Sequence, residues 1–208
     1  ILFIPPRYLT YLLENNTKEK LATTLKYIIT AGEQLIINEN IRILINKGVI
    51  LYNHYGPAET HVATTYRIDK TNSHLVKPPI GKPISNSKIY VLDKNKNICP
   101  PNVIGEIHIS GYPVGNGYYN QSELTNQKFV EDPFAKEYKM YKTGDLGSFD
   151  LEGNIQYIGR NDFQVKVNGY RIELEEVEKH IAKLEYINNV SVACQKDEKQ
   201  KNRLIAFI

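Results

Sequence analysis

The sequence predicts an α/β fold in three successive parts: a parallel α/β sheet over residues 1–87, a small β-rich part over 88–161, and the start of a small α+β module over 162–208. Three observations predict it. Short apolar runs alternate with helical apolar spacing in the first part. Strand-like runs separated by Pro, Gly, Asn and Asp fill the second. A charged hairpin then leads into an amphipathic helix and two further strands.

In the first part, Pro5 and Pro6 precede Tyr8, Leu9, Leu12 and Leu13, a spacing that predicts a short helix begun at the prolines. A second helix is expected over 18–26. Tyr27, Ile28 and Ile29 form an apolar run ended by Thr30-Ala31-Gly32, which suits a buried strand entering a loop. From Asn38 the pattern Ile41, Leu44, Ile45 closes at Gly48 and predicts an amphipathic helix with an Asn cap and a Gly stop. Val49, Ile50, Leu51 and Tyr52 form the next strand. The loops after these two strands should therefore open on one edge of a parallel sheet, the edge where α/β proteins bind ligands.

In the second part, strands are expected over 88–92, 105–110, 139–142 and 153–159. Between Arg160 and Glu173 apolar and charged residues alternate around Asn168-Gly169, the pattern of a hairpin that presents charge. Leu174, Val177, Ile181 and Leu184 recur at helical spacing, with Glu175 one turn before Lys179 on the outer side. Two strands, over 190–194 and 204–208, complete the list of elements.

At 208 residues the chain can bury a core, and 41% apolar and 24% charged residues are the proportions of a globular protein. A net charge of +3, with cations scattered among nearly as many anions, argues against nucleic acid as a partner. No apolar run approaches the roughly 20 residues that span a bilayer, which argues against a membrane partner. Cys99 and Cys194 lie far apart with no His or Cys spaced to share a metal, and read as reduced thiols of a cytoplasmic protein.

Chemistry concentrates in the loops. Asn53-His54-Tyr55-Gly56-Pro57-Ala58-Glu59-Thr60 directly follows a strand. Gly56 and Pro57 fix a sharp turn, Tyr55 offers an aromatic face for a base, and Glu59 offers a carboxylate for a divalent cation, although the same residues also suit an ordinary surface turn. Thr30-Ala31-Gly32-Glu33 forms the neighbouring loop. In Tyr141-Lys142-Thr143-Gly144-Asp145 the carboxylate stands on a Gly-containing turn after a strand and suits hydroxyl groups, while Arg160 suits an anion. Together they suggest a phosphorylated, sugar-bearing ligand.

In this order, and with Gly105-Glu106-Ile107-His108-Ile109-Ser110-Gly111, Gly117-Tyr118 and the segment 159–178, these phrases resemble the adenylate-forming superfamily. Within it the resemblance is to the adenylation domains of nonribosomal peptide synthetases (NRPS), with the D-alanine carrier-protein ligases second. It covers essentially the whole chain. It implies that 1–161 is the C-terminal part of the large adenylation subdomain and that a hinge joins it to the beginning of the small one.

The resemblance implies roles residue by residue. Tyr55 is similar to the adenine-stacking tyrosine and Glu59 to the catalytic magnesium ligand, while Asp145 matches the aspartate that holds both ribose hydroxyls. Gly32, Glu33, Asn53, Gly56, Tyr157 and Arg160 fall on positions around the nucleotide. Asp162 matches the hinge, Lys166 a lysine brought to the active site in a second, thiol-transfer conformation, and Gly169 the loop that then approaches the carrier's phosphopantetheine. Phe3, Ile29, Ala31, His54, Val62 and Ala63 fall on positions that select the substrate side chain, an apolar set with one imidazole.

The implied activity is ATP- and Mg2+-dependent conversion of an amino acid to its aminoacyl adenylate, then transfer to a peptidyl carrier protein or domain among neighbouring synthetase domains. Two departures stand out: Ala58 occupies a position usually held by Thr, and Asn116 one usually held by Arg. The resemblance places the phosphate loop before Ile1 and the adenylation lysine beyond Ile208, so the segment alone is expected to be inactive. A stand-alone acyl or D-alanine ligase and a non-catalytic scaffold domain remain the alternatives.

Overall fold

The computed structural model describes residues 1–15, 25–161, 164–167, 170–196 and 202–208. Two compact units divide the chain, Ile1–Gly159 and Arg160–Ile208.

The first unit begins with a five-stranded sheet in the order β1 (Leu2–Phe3), β2 (Tyr27–Thr30), β3 (Ile50–Tyr55), β4 (Thr64–Ile68), β5 (Lys82–Pro83). β1, β2 and β3 are parallel, whereas β4 and β5 add antiparallel strands, so the sheet is mixed. Helix α1 (Pro6–Asn15) places Pro6 where a missing N–H costs nothing. Helix α2 (Glu39–Asn46) is capped by Asn38, whose Oδ1 accepts the Ile41 N–H at 3.0 Å, an interaction typically worth about 1 kcal/mol. Gly48, at φ +100°, follows the helix end. The expected helix over 18–26 falls mostly on residues outside the described set, and Leu25 and Lys26 are not helical.

One face of this sheet carries the core. Leu9 and Leu13 of α1, Ile41, Leu44 and Ile45 of α2, and Ile28, Leu51 and Ile68 of the strands are all buried in one cluster. Each such side chain contributes about 1.5–3 kcal/mol by leaving water. This packing fixes the helices on one side of the sheet and leaves the strands' C-terminal ends and opposite face for other work.

A second, antiparallel sheet follows, in the order β10 (Ile155–Arg160), β9 (Lys139–Phe149), β7 (Gly105–Gly111), β6 (Ser87–Leu92), with β8 (Phe129–Glu131) also paired to β9. A short helix α3 (Ser122–Lys128) precedes β8. Two backbone bonds join the sheets: Ile80 N–H to Ile155 O and Ile155 N–H to Gly81 O, both 2.8 Å. Ala63, Ile80, Ile89, Ile107, Ile109 and Ile155 pack between them, so the end of β3 is held against β7, β9 and β10.

The expected strand over 139–142 is part of an eleven-residue strand, and the turn expected before Asp145 is a bulge within it. His108 lies opposite Lys142 and Glu106 opposite Leu146, so Thr143, Gly144 and Asp145 together face the single residue Ile107. Gly144 takes φ +72°, a conformation glycine adopts without penalty.

The second unit holds a hairpin of β11 (Gln164–Val167) and β12 (Tyr170–Glu173), helix α4 (Leu174–Ile181) and a hairpin of β13 (Ser191–Lys196) and β14 (Asn202–Phe207). Val167 pairs with Tyr170, the register a two-residue connection produces. Helix α4 stops three residues short of Leu184, and Glu178 Oε1 accepts the Val192 N–H at 2.7 Å, tying the helix to β13.

Candidate functional site

Strand β3 delivers the first group of candidates. Its parallel pairing puts Thr30 opposite Asn53, so the loops carrying Ala31, Gly32 and Glu33 and carrying Gly56 and Glu59 leave the sheet at the same edge. Gly32 stands at φ +93°. Gly56 is required for a different reason: a Cβ there would overlap the His61 carbonyl, because the loop folds back until the Ala63 N–H reaches Tyr55 O at 2.8 Å. Asn53 is only 3% exposed, and its Nδ2 donates to Pro79 O at 2.9 Å, holding the segment before β5 against the strand.

Asp145 arrives from the other sheet. It is 6% exposed, and burying a carboxylate is costly unless hydrogen bonds replace water. The Tyr55 hydroxyl donates to Asp145 Oδ2 at 2.6 Å. Burial, and then the Asp145 charge, push the Tyr55 hydroxyl well above the ordinary tyrosine range, so it stays protonated and donates. The bulge is itself braced: Thr143 Oγ1 donates to Ile107 O at 2.6 Å and accepts the Asp145 N–H at 2.9 Å, and Glu106 Oε1 accepts the Gly144 N–H at 3.0 Å. Tyr157 of β10 places its ring 6.2 Å from that of Tyr55. The structure therefore brings Tyr55, Asp145 and Tyr157 together. Glu106 and Thr143, unassigned from sequence, set the carboxylate; the signal was the bulge, which needs the partner strand to be seen.

Glu59 sits half-buried in the loop after β3. Its backbone oxygen accepts the Gly115 N–H at 2.9 Å, and its Oε1 accepts the Tyr118 hydroxyl at 2.7 Å. Among the described residues no group of three or more His, Cys, Asp and Glu gathers around a point. A single carboxylate suits magnesium, which keeps waters and takes its other ligands from substrate phosphates. Glu59 thus fits a cation that comes with a nucleotide.

The candidate substrate face lies on the side of the first sheet away from the helices. Phe3 pairs with Ile29 and Ile29 with Tyr52, and strand alternation puts His54 on the same face as Tyr52, their rings 6.3 Å apart. Phe3 is 63% exposed, and Ile29, Ala31, His54 and Val62 are partly exposed. Ala63 differs: its side chain is enclosed in the cluster between the sheets. Burial, with His61 adding to it, lowers the pKa of His54, so the imidazole on this face is neutral at pH 7.

Of the remaining candidates, Arg160 is the last residue of β10 and Lys166 lies in β11. Asp162 and Gly169 lie outside the described residues.

A family model described as AMP-binding enzyme matches residues 1–119, more than half of the chain. The chain belongs to the AMP-binding enzyme family. It is 43% identical over 210 residues to gramicidin S synthase 2 of Brevibacillus brevis, and 40% identical over 210 residues to tyrocidine synthase 2 of Brevibacillus parabrevis. All of this chain is covered in both, against 5% and 6% of those proteins, so it spans only about a twentieth of their length. Among solved structures, PA1221, an NRPS protein containing adenylation and PCP domains, superposes with a TM-score of 0.83 at 27% identity, covering 98% of this chain and 41% of that one.

Proposed function

We propose that this chain is part of an amino-acid adenylating ligase of nonribosomal peptide synthesis, carrying the adenine, ribose and magnesium contacts of the large subdomain and the beginning of the small one. The observation that carries the proposal is the Tyr55 to Asp145 hydrogen bond, which joins two residues 90 positions apart in one buried site. An aromatic ring beside a fixed carboxylate is the chemistry that holds a nucleoside: a face for the base and an acceptor for ribose hydroxyls. Gly32, Glu33, Asn53 and Gly56 shape the edge on which the nucleotide lies, with Tyr157 beside it. Similarity to gramicidin S synthase 2 and tyrocidine synthase 2 supports an amino acid as the acyl substrate.

In this reading the amino-acid carboxylate attacks the α-phosphorus of ATP, an acyl-phosphate bond forms, and pyrophosphate leaves. Glu59 holds magnesium, whose charge offsets that of the phosphates. Catalysis by these residues is positioning: Asp145 and Tyr55 fix the nucleoside, and the face bearing Phe3, Ile29, Ala31, His54 and Val62 receives the side chain, with Ala63 packed behind it. A carrier's phosphopantetheine thiol then attacks the aminoacyl adenylate and releases AMP. The adenylation and PCP domains named for PA1221 support such a carrier partner. The division of the chain after Gly159 supports a joint there, with Asp162 as its pivot, Arg160 on the nucleotide side, and Lys166 and Gly169 serving the second reaction. Two free cysteines support a reducing, cytoplasmic setting.

The test is amino-acid-dependent exchange of labelled pyrophosphate into ATP by the longer protein that contains this chain. Exchange with one or a few amino acids is expected. Exchange with none, D-alanine included, would overturn the proposal.

A further inference from the structure

The segment around Tyr118 contacts the Glu59 loop at two points, and neither contact is used by the nucleoside site. Gly115 N–H reaches the Glu59 backbone oxygen, and the Tyr118 hydroxyl reaches its carboxylate, Oε1, at 2.7 Å. A second hydroxyl stands behind the first: Tyr141 Oη, on a fully buried side chain of β9, lies 3.3 Å from Tyr118 Oη. A hydroxyl has one proton to give. The carboxylate of Glu59 can only accept, so Tyr118 donates to it, and the Tyr141 hydroxyl stands beside the Tyr118 oxygen from the second sheet.

The surroundings hold Tyr118 in place. Its ring stands edge-on to Phe129 with centroids 5.4 Å apart, and Phe129 in turn packs on Tyr141 at 5.0 Å. Its backbone N–H donates to Thr125 Oγ1 at 2.9 Å. A side chain at Gly117 (φ +134°) would overlap that of Thr125, so the approach of this segment to α3 depends on glycine.

We propose that Tyr118 is a positioning residue for Glu59: its hydroxyl fixes the orientation of the carboxylate that receives the cation of the bound nucleotide. The inference rests on the reading of Glu59 as the magnesium carboxylate. A carboxylate that must receive a metal binds it with less loss of freedom when its orientation is already set. Here the Tyr118 hydroxyl already holds one of its oxygens, as in other sites where an outer hydrogen bond orients a ligand.

The experiment measures metal binding directly. Mn2+, as a spectroscopic stand-in for Mg2+, is titrated into the longer protein saturated with α,β-methylene-ATP, and free Mn2+ is read by electron paramagnetic resonance. Tyr118→Phe keeps the ring packing and is expected to weaken Mn2+ binding about tenfold, while nucleotide affinity in excess chelator stays unchanged. A dissociation constant describes the folded molecules only, so partial unfolding of a variant does not mimic the effect. Glu59→Gln separates the two claims. Wild-type Mn2+ binding by Tyr118→Phe, with loss of binding by Glu59→Gln, would overturn the role of Tyr118 and leave that of Glu59 standing. Wild-type binding by Glu59→Gln would overturn both.

Discussion

The two sheets of the first unit place their functional side chains by different means. In the first sheet, three parallel strands end at one edge, and the candidates Ala31, Gly32, Glu33, Gly56 and Glu59 occupy the loops beyond. In the second, antiparallel sheet the key carboxylate is inside a strand, where Thr143, Gly144 and Asp145 bulge opposite Ile107. A loop presents a residue and leaves it freedom; a bulge in a paired strand re-aims a residue and holds it from both sides. The difference fits the tasks proposed for them. The Tyr118 hydroxyl reaches Glu59 from another segment, whereas the Asp145 backbone is braced within its own sheet by Thr143 and Glu106, with its carboxylate met by Tyr55 of the first sheet.

The sharpest way to break this comparison is to remove the carboxylate. Asp145→Ala is expected to lower ATP affinity of the longer protein at least about 100-fold, since two hydrogen bonds to a charged group, each worth roughly 1.5–3 kcal/mol, are lost. Equilibrium titration with ATP measures it.

A smaller effect contrasts the two glycines. Gly144 (φ +72°) is in the paired strand and Gly32 (φ +93°) in the loop, and a Cβ at Gly32 would meet no atom within 4 Å. Alanine costs about 1–2 kcal/mol in such a conformation. For Gly144→Ala that strain is expected to reach the ladder, lowering hydrogen-exchange protection of β7 and β9 amides about tenfold. Gly32→Ala can relax in the loop and should leave β2 and β3 within about threefold of wild type. Equal effects would erase the distinction between bulge and loop.

The smallest effect is in pH. His54, in the first sheet, and His108, in the second, both have pKa values lowered chiefly by burial. The unfolded chain therefore binds protons near the ordinary 6.5 that the folded chain refuses. Stability from both is fully present above that pH and falls as the pH drops through it toward the lower folded values. Exchange protection at pH 7.5 and 5.5, corrected for intrinsic rates, should show the loss in both sheets. His108→Asn should flatten it in the second sheet alone.

The same contrast explains what was legible in the sequence. The Asn38 cap, the apolar stripe of α2 and the loop after β3 carry local signals, because capping, helical spacing and Gly-Pro turns act within a few residues. The bulge at Asp145 read as a turn because Thr-Gly-Asp is turn chemistry; only pairing with β7 makes the strand continue. β4 and β5 were not foreseen for a related reason: β4 pairs with β3 across the Glu59 loop, and β5 pairs with β4 at the edge of the sheet. Tyr55 was legible as an aromatic face but not as the donor that fixes Asp145, since that contact spans 90 residues. The resemblance placed Ala63 among the pocket positions, and its side chain is enclosed in the cluster between the sheets.

Whether Tyr55 and Asp145 form one ribose-gripping nucleoside site is decided by comparing ATP with 2′,3′-dideoxy-ATP in equilibrium binding to the longer protein. The wild-type protein is expected to prefer ATP by at least about 30-fold, and Asp145→Ala to abolish the preference. Equal affinity of the wild-type protein for the two nucleotides would contradict it.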